Sequence, residues 1–471
     1  MYKNLLYLFE EYIIYPHNFL IKAFLLLFLF TETLPAQYAL SGLPGEIIPA
    51  SVGVNTHFIT GHTKDLDMIA DAGIKIIRQD LIWSMTEKIK GEYDWSAYDT
   101  LLAEMNQRGI RPIFTLSYNN PLYTNEVLQS GPQDSENIKG YANWTGAAAK
   151  HFKGHNIIWE IWNEPNAVPF WKPVPNADQY INMALASCNA IRKADPNALI
   201  IAPALAMFNW NFSGNISNDE RGIRGQFTID FMKKLFKSGM LDYLCAISVH
   251  AYRDGPPQSP ETIESEYCGF RKLIAEYAPK YKNIPVISGE WGYTTCNCVE
   301  GVMPQTQANW AARMQLFNLY LGIPVTIWYD WKNDGTDVTV RGQNRGLVTN
   351  NLELKPSYIS IYVMTHELSG YKITGRYYDG NASDFILILK NSKGNIKLAA
   401  WTQNTSHKAN IPLTELSSSK SINNIWWVDG STNSGKVNVS AQSFMIELNN
   451  TPKYCSTVMP AQLPEFKIKT N

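Results

Sequence analysis

Eight short β-rich segments alternate with amphipathic stretches over the first two thirds of the chain, and a run of alternating segments punctuated by turns follows. Together they predict an α/β fold: a (β/α)8 TIM barrel with a small C-terminal antiparallel β-sandwich domain. The expected divisions are 1–36 for an export signal, 50–368 for the barrel, 370–455 for the β-sandwich and 456–471 for a tail.

The eight strands are rich in β-branched and aromatic residues. They read SVGVNTHF from Ser51, IKIIRQDLIW from Ile74, IRPIFTLSY from Ile110 and NIIWEIWNE from Asn156. The second four read ALIIAPALA from Ala198, CAISVHAY from Cys245, PVISGEWGY from Pro285 and VTIWYDW from Val325. Between them, Leu66, Ile69 and Ala70 share one helical face, as do Tyr98, Leu101, Leu102 and Met105. Further helices are expected over Asp178–Ala194, Gln226–Ser238, Pro260–Tyr277 and Gln305–Leu321. DAGI and QRGI each close a helix at Gly, which tolerates positive φ, and lead into a strand. A doubly wound open sheet is the structural alternative, but no Gly-rich phosphate loop follows the first strand.

From about Gly370 the pattern changes. DFILILKN, NIKLAAWTQN, INNIWWVDG and SFMIELNN alternate with NSKGN-type turns, as an antiparallel domain would. Trp426 and Trp427 there either pack or offer a sugar-binding face.

A net charge of −1 over 471 residues argues against nucleic acid as a partner. Aromatics make up 12% against 18% charged residues, a supply from which a cleft for flat sugar faces can be built. Near the start, Phe19–Phe30 reads FLIKAFLLLFLF, with Pro35 and Ala36 after it. That pattern suggests a secretory signal cleaved near Ala36, and hence a secreted, periplasmic or cell-surface protein. The apolar core falls short of the about 20 residues of a membrane span. Extended by Tyr12–Ile14 it becomes a signal anchor, the one route to a membrane. Six cysteines are too few for a disulfide framework. Cys296 or Cys298 could pair with Cys268 or another partner, whereas Cys188 and Cys245 sit in apolar runs as core residues. No ligand spacing suggests a metal, no cofactor is expected, and a monomer is.

Barrels place chemistry at the C-terminal ends of their strands. The fourth strand ends in Trp162-Asn163-Glu164-Pro165-Asn166 and the seventh in Gly289-Glu290-Trp291-Gly292-Tyr293. Cleaving a glycosidic bond with retention needs two carboxyl groups about 5–5.5 Å apart across the bond. Strands four and seven face each other over the barrel mouth, so Glu164 and Glu290 are the candidate pair.

The Asn163-Glu164-Pro165 tripeptide, combined with Glu290 and the barrel pattern, resembles clan A of the glycoside hydrolases, closest to family 39 and the related family 5, over about residues 50–368. The resemblance implies an acid/base role for Glu164, a nucleophile role for Glu290 and the β-configuration of the substrate. It makes Asn163 the partner of the sugar 2-hydroxyl and Arg78 the cation that keeps the nucleophile ionised. His250 and Tyr252 match a sixth-strand pair touching sugar and nucleophile, and Trp328 an eighth-strand sugar platform. Trp331 is the alternative platform if the register shifts. His57, Trp83 and Tyr118 lie near strand ends, where packing and substrate contact are both open.

These features lead to an exported retaining β-glycoside hydrolase acting on a polysaccharide or oligosaccharide by double displacement, with endo action preferred. Alternatives are an exo-acting β-xylosidase-like enzyme, a transglycosylase sharing the covalent intermediate, and a non-catalytic carbohydrate-binding surface protein. Intact Glu164, Glu290 and Arg78 argue against the last of these.

Overall fold

A computed structural model describes residues 42–466 except 125–128, 207, 209–219, 254–256, 417–421, 423 and 441. The expected export segment lies outside the described residues, as does most of NWNFSGNISNDERGIRG, the long polar stretch 209–225 that the sequence places after the fifth strand. Among the described residues no helix is long and apolar enough to cross a membrane.

Eight parallel strands close into a barrel. They are β1 (Val52–Thr56), β2 (Ile76–Ile82), β3 (Arg111–Ser117), β4 (Ile158–Ile161), β5 (Leu199–Leu205), β6 (Ala246–His250), β7 (Val286–Trp291) and β8 (Thr326–Trp328). Neighbours in sequence are neighbours in space, and β8 returns to pair with β1.

Successive side chains on a strand point to opposite faces, so every second residue enters the barrel. Near the strand starts, Ile76, Ile113, Ile158, Ile201, Ile287 and Ile327 meet in one buried cluster. Two residues further along their strands stand Arg78, Thr115, Glu160 and, above Ala246, Ser248. The interior therefore has an apolar floor and a polar tier above it. A Cβ at Gly289 would collide with Ser248 Oγ, so a residue without a side chain is required beside that tier.

Outside the barrel lie α1 (Thr63–Asp71), α2 (Ser96–Gln107), α3 (Ser135–His151), α4 (Ala177–Ala194), α5 (Glu220–Lys237), α6 (Glu264–Tyr277), α7 (Pro304–Tyr320) and α8 (Pro356–Glu367). Their sequences explain their ends. Asp134 caps α3 by accepting from Asn137 N, and Asn176 caps α4 by accepting from Asp178 N and Gln179 N. Pro sits in the first turn of both α7 and α8, where its missing N–H costs no helical bond. Gly73 and Gly109 take positive φ just past α1 and α2, as their DAGI and QRGI contexts imply.

Beyond α8 come β9 (Tyr371–Tyr377), β10 (Asp384–Asn391), β11 (Ile396–Thr402), β12 (His407–Pro412), β13 (Asn424–Asp429), β14 (Ser434–Asn438), β15 (Ser443–Leu448) and β16 (Lys453–Ser456). Six form an antiparallel sheet in the order β9-β10-β11-β16-β13-β14, and β12 pairs with β15. Ile386, Leu398 and Ile425 of the larger sheet share one apolar cluster with Ile411, Phe444 and Ile446 of the smaller. Trp427 packs on that cluster, and the Lys436 ammonium lies over the Trp426 ring. After β16 the described residues form no regular structure, yet Phe466 meets the Tyr362 ring edge-on at 5.1 Å.

The barrel and these sheets are tied by a buried ion pair. Arg313 on α7 donates to both oxygens of Glu261 at 2.8 and 2.6 Å, and to Asn450 Oδ1 at 3.0 Å. Trp401 of β11 donates to Glu261 Oε1 at 2.8 Å and Gln403 to Glu261 Oε2 at 3.1 Å.

One cysteine expectation needs correction. Cys296 and Cys298 form a disulfide with each other, while Cys268 is free and exposed on α6. Only Asn297 separates the two, so the bond closes within the loop after β7 and neither sulfur is left for a distant partner. Cys188 and Cys245 are free and buried, as their apolar surroundings suggest.

Candidate active site

Arg78 organises the polar tier at the barrel mouth. Its Nε donates to Glu160 Oε2 at 2.6 Å, Nη1 to Glu290 Oε1 at 2.5 Å and to Asn55 Oδ1 at 3.0 Å, and Nη2 to Asn163 Oδ1 at 2.8 Å. Glu160 also accepts from Thr115 Oγ1 at 2.8 Å and from Ser248 Oγ at 2.6 Å. Burial opposes charge on the guanidinium, but the fields of Glu160 and Glu290 outweigh it and raise its pKa.

Glu290, at the end of β7, is buried and holds both oxygens in fixed contacts. Oε1 takes the Arg78 bond and Oε2 accepts from Tyr252 Oη at 2.9 Å. Burial works against its charge, but His250, Arg78 and the Tyr252 hydrogen bond prevail and hold its pKa below the ordinary carboxylate value.

Across the mouth stands Glu164, with 16% of its side chain exposed. Its backbone has φ of 46°, and Trp162 has φ of 68°, so left-handed residues flank Asn163. Such conformations cost energy in non-glycine residues and persist where the surroundings over-determine them. Here the surroundings are clear. Glu164 N donates to Ala204 O at 3.2 Å, Trp162 Nε1 donates to Phe170 O at 2.9 Å, and Asn166 exchanges two 3.0 Å bonds with the Ala206 backbone.

His250 joins the two carboxyl groups. Its Nδ1 lies 2.8 Å from Glu164 Oε1 and 3.5 Å from Glu290 Oε2, and among the described residues its Nε2 has no partner. Burial disfavours the imidazolium, but Glu290 and Glu164 overcome this and raise its pKa. One oxygen of Glu164, one of Glu290 and a ring nitrogen of His250 lie within 4.8 Å of one another. That spacing fits a retaining carboxyl pair and falls short of the roughly 6.5–9.5 Å of an inverting one. Three such donors could also hold a metal ion, but Arg78 and Tyr252 already engage both oxygens of Glu290.

The sequence-derived residues thus divide. Arg78, Asn163, Glu164, His250, Tyr252 and Glu290 converge at one place. His57 is at its edge, 44% exposed, with Nε2 3.3 Å from Asn55 Nδ2. The tryptophans need correction, since none presents an open face. Trp328 is 1% exposed and donates to Arg345 O at 3.1 Å, and Trp331 is 1% exposed and donates to Asp65 Oδ1 at 2.8 Å. Trp83 is fully buried among Tyr123, Tyr141 and Trp144, with its indole N–H on Glu87. Packing claimed these rings because each indole N–H found an internal acceptor.

The partly exposed rings at the mouth are tyrosines. Tyr118 lies edge-on to Trp162 at 5.5 Å, and Tyr329 stands edge-on to His57 at 5.5 Å and 6.3 Å from Tyr252. The Arg345 guanidinium covers the Tyr252 ring at 4.9 Å. Sequence reasoning passed over Asn55, Asp80, Glu160, Tyr329 and Arg345. Glu160 had left a signal, a carboxylate in the middle of the apolar strand IIWEIW. Asp80 falls in phase with Arg78 on β2, and burial raises its pKa against the fields of Arg78 and His57.

Residues 45–335 match the model of the cellulase family, glycosyl hydrolase family 5. Among solved structures, a family 39 glycoside hydrolase from Bacteroides cellulosilyticus WH2 superposes with a TM-score of 0.70 at 21% identity, covering 87% of this chain and 81% of that one. A monomeric β-xylosidase from Caulobacter crescentus CB15 gives 0.61 at 14% identity, covering 88% and 96%. A family 30 subfamily 8 xylanase from Clostridium acetobutylicum gives 0.57 at 14% identity, covering 88% and 97%.

Proposed function

The chain belongs to the cellulase family of glycoside hydrolases, family 5, and from that premise we propose that it is an exported, monomeric β-glycosidase that cuts within a polysaccharide by double displacement. The observation that carries the reading is the asymmetry of its carboxyl pair. Glu290 has a cation and a phenol holding its charge, whereas Glu164, within 4.8 Å, has an imidazole at 2.8 Å and an opening to solvent.

In this reading the Glu290 carboxylate attacks the anomeric carbon while Glu164 protonates the departing oxygen. The ester formed removes the charge from Glu290. Glu164 then takes a proton from water, which attacks the same carbon and releases the sugar with its configuration retained. Asn163 Oδ1 is committed to Arg78, which turns the amide nitrogen toward the cleft to donate to the sugar 2-hydroxyl. Such a contact strengthens in the transition state and, together with distortion of the sugar ring, supplies several kcal/mol. Tyr118 and Tyr329 replace the buried tryptophans as flanking rings for the sugar. The C-terminal sheets form a β-sandwich that buttresses the barrel, a role supported by the Glu261–Arg313 pair.

Export rests on the apolar run Phe19–Phe30, and endo action on the aromatic supply and on the long polar stretches 209–225 and 333–345 that follow the fifth and eighth strands. The exo-acting β-xylosidase reading has its own support in the likeness to the Caulobacter protein, which extends over 96% of that chain.

The deciding experiment incubates the protein with β-glucans, xylans, mannans and bacterial exopolysaccharides and sizes the products. Early mid-length fragments are expected; monosaccharide from the first minutes would favour exo action. Glu290→Gln should abolish turnover and covalent labelling by a 2-fluoro glycoside, and normal turnover in that variant would remove the nucleophile assignment.

A further inference from the structure

The polar stretch 333–345 after β8 is laid against the loop after β7. Thr295 N donates to Asn344 O at 3.0 Å, Asn297 N to Val338 O at 2.6 Å, and Thr294 Oγ1 to Arg341 O at 2.8 Å. At the end of the stretch the Arg345 carbonyl accepts from Trp328 Nε1 at 3.1 Å. The chain then passes so close to itself that a Cβ on Gly346 would lie 2.2 Å from Asn333 N. These contacts fix the Arg345 backbone, and the residue is only 4% exposed.

Its guanidinium meets two groups beside the nucleophile. Nη1 donates to Gly292 O at 2.8 Å, two residues beyond Glu290, and the guanidinium carbon stands 4.9 Å from the centre of the Tyr252 ring. Tyr252 Oη in turn donates to Glu290 Oε2 at 2.9 Å. Cation, phenol and carboxylate therefore stand in series, on the Glu290 oxygen that Arg78 does not hold. A cation over the face of a phenol is attracted to the ring and eases charge onto its oxygen, which makes the O–H a stronger donor. Burial and the Glu290 charge push the Tyr252 pKa well up, and Arg345 pulls against them. Arg345 also acts on Tyr329 and Asp330 at the end of β8, with Lys355 beside Asp330. Glu290 itself is faced by Arg78 from β2, Glu164 from β4, His250 from β6 and His57 from beyond β1.

We propose that Arg345 is a positioning residue for the nucleophile: its guanidinium fixes the Tyr252 ring and strengthens the hydrogen bond from that phenol to Glu290, without touching the sugar. The role of Glu290 as nucleophile rests on the glycosidase reading above, and Arg345 adds to it a second cation that works at one remove. A purely structural Arg345 needs only to fill its space and bond Gly292 O. The positioning role needs positive charge over the ring.

The test titrates the Glu290 carboxyl itself, by carbon-13 NMR of the full chain labelled at the glutamate side-chain carboxyl. The signal is assigned by its loss in Glu290→Gln. Arg345→Gln keeps a donor for Gly292 O and removes the charge, and the Glu290 midpoint should rise by about half a pH unit or more. Arg345→Met, which fills the space with no charge, should give the same rise and stands in if the glutamine variant does not fold. Arg345→Lys restores a cation and should return the midpoint most of the way. Combined with Tyr252→Phe, Arg345→Gln should add less than about 0.2 pH unit, because the two residues act in series. An unmoved midpoint in the uncharged variants, a lysine variant no better than they are, or a rise undiminished by Tyr252→Phe would each overturn the proposal. Hydrolysis and 2-fluoro glycoside labelling by the unmodified protein are scored separately. Their absence would remove the glycosidase reading, while the titration still decides whether Arg345 acts on Glu290 through Tyr252.

Discussion

Arg78 Nη1 lies 2.5 Å from Glu290 Oε1, and the same guanidinium is held from behind by Glu160 at 2.6 Å. The charge on Glu290 is therefore set by a cation that is itself fixed by a second, fully buried carboxylate.

The acidic limb of the pH profile should depend on Arg78. The Glu290 pKa is below its ordinary 4.5, so the carboxylate stays ionised as pH falls to that value and activity fails only below it. Arg78→Gln removes an attractive charge, and the limb of kcat/KM should move to higher pH. An unmoved limb, measured over about pH 3–7, would count against Arg78 as the group that holds Glu290 ionised.

Loss of Glu160 should be felt in stability before substrate contact. Glu160→Ala removes one of the two carboxylates paired with Arg78, leaving Glu290 as its counter-charge, and opens a cavity in the interior; it is expected to cost about 2–4 kcal/mol in urea unfolding. Glu160→Gln keeps the shape and should cost less, while still lowering kcat because Arg78 loses its rear anchor. A loss under about 1 kcal/mol for the alanine variant would mean that Thr115, Ser248 and water replace the carboxylate.

His250 gives stability a second pH dependence. Its folded pKa is raised above 6.5 by the two carboxylates, so its contribution is complete below that value and is lost as pH rises through the folded pKa. The unfolding free-energy difference between the protein and His250→Asn should narrow from about pH 6 to about pH 9. A constant gap would point to packing alone.

The interface with the C-terminal sheets should be strongly cooperative. Arg313→Ala leaves Glu261 buried with only the donors from Trp401 and Gln403, and about 3–5 kcal/mol of destabilisation is expected. One unfolding transition should remain in calorimetry. Separation into two transitions would show that this pair is what couples the unfolding of the barrel to that of the sheets.

The barrel was legible because its signals are local and repeated. Each of the eight strands was found, though β8 stops at Trp328 where the sequence read on to Trp331. The chain leaves the ladder there, and Trp331 N bonds back to Asn55 O. Helix α3 escaped the apolar periodicity because its buried face includes Asn137, Gly140 and Thr145. At the site, motif and strand position located Glu164 and Glu290. Exposure was another matter: Trp83, Trp328 and Trp331 are aromatic near strand ends, but their burial depends on partners that only the fold brings together, Asp65 for Trp331 and the packed rings of Tyr141 and Trp144 for Trp83. Glu160 could have been found, since a carboxylate inside an apolar strand needs a buried cation and Arg78 was the one at hand.

The isoleucine floor has a consequence for molecular traffic. Ile76, Ile113, Ile158 and Ile201 plug the barrel below the Arg78 tier, so among the described residues the reaction chamber is shut from below and opens at the mouth. The leaving sugar must go out by the route through which the next molecule comes in. Whether that visitor is water or another sugar is then a queue at one threshold, and the crowding of glycan at the mouth should decide how often a bond is cut and how often it is passed on.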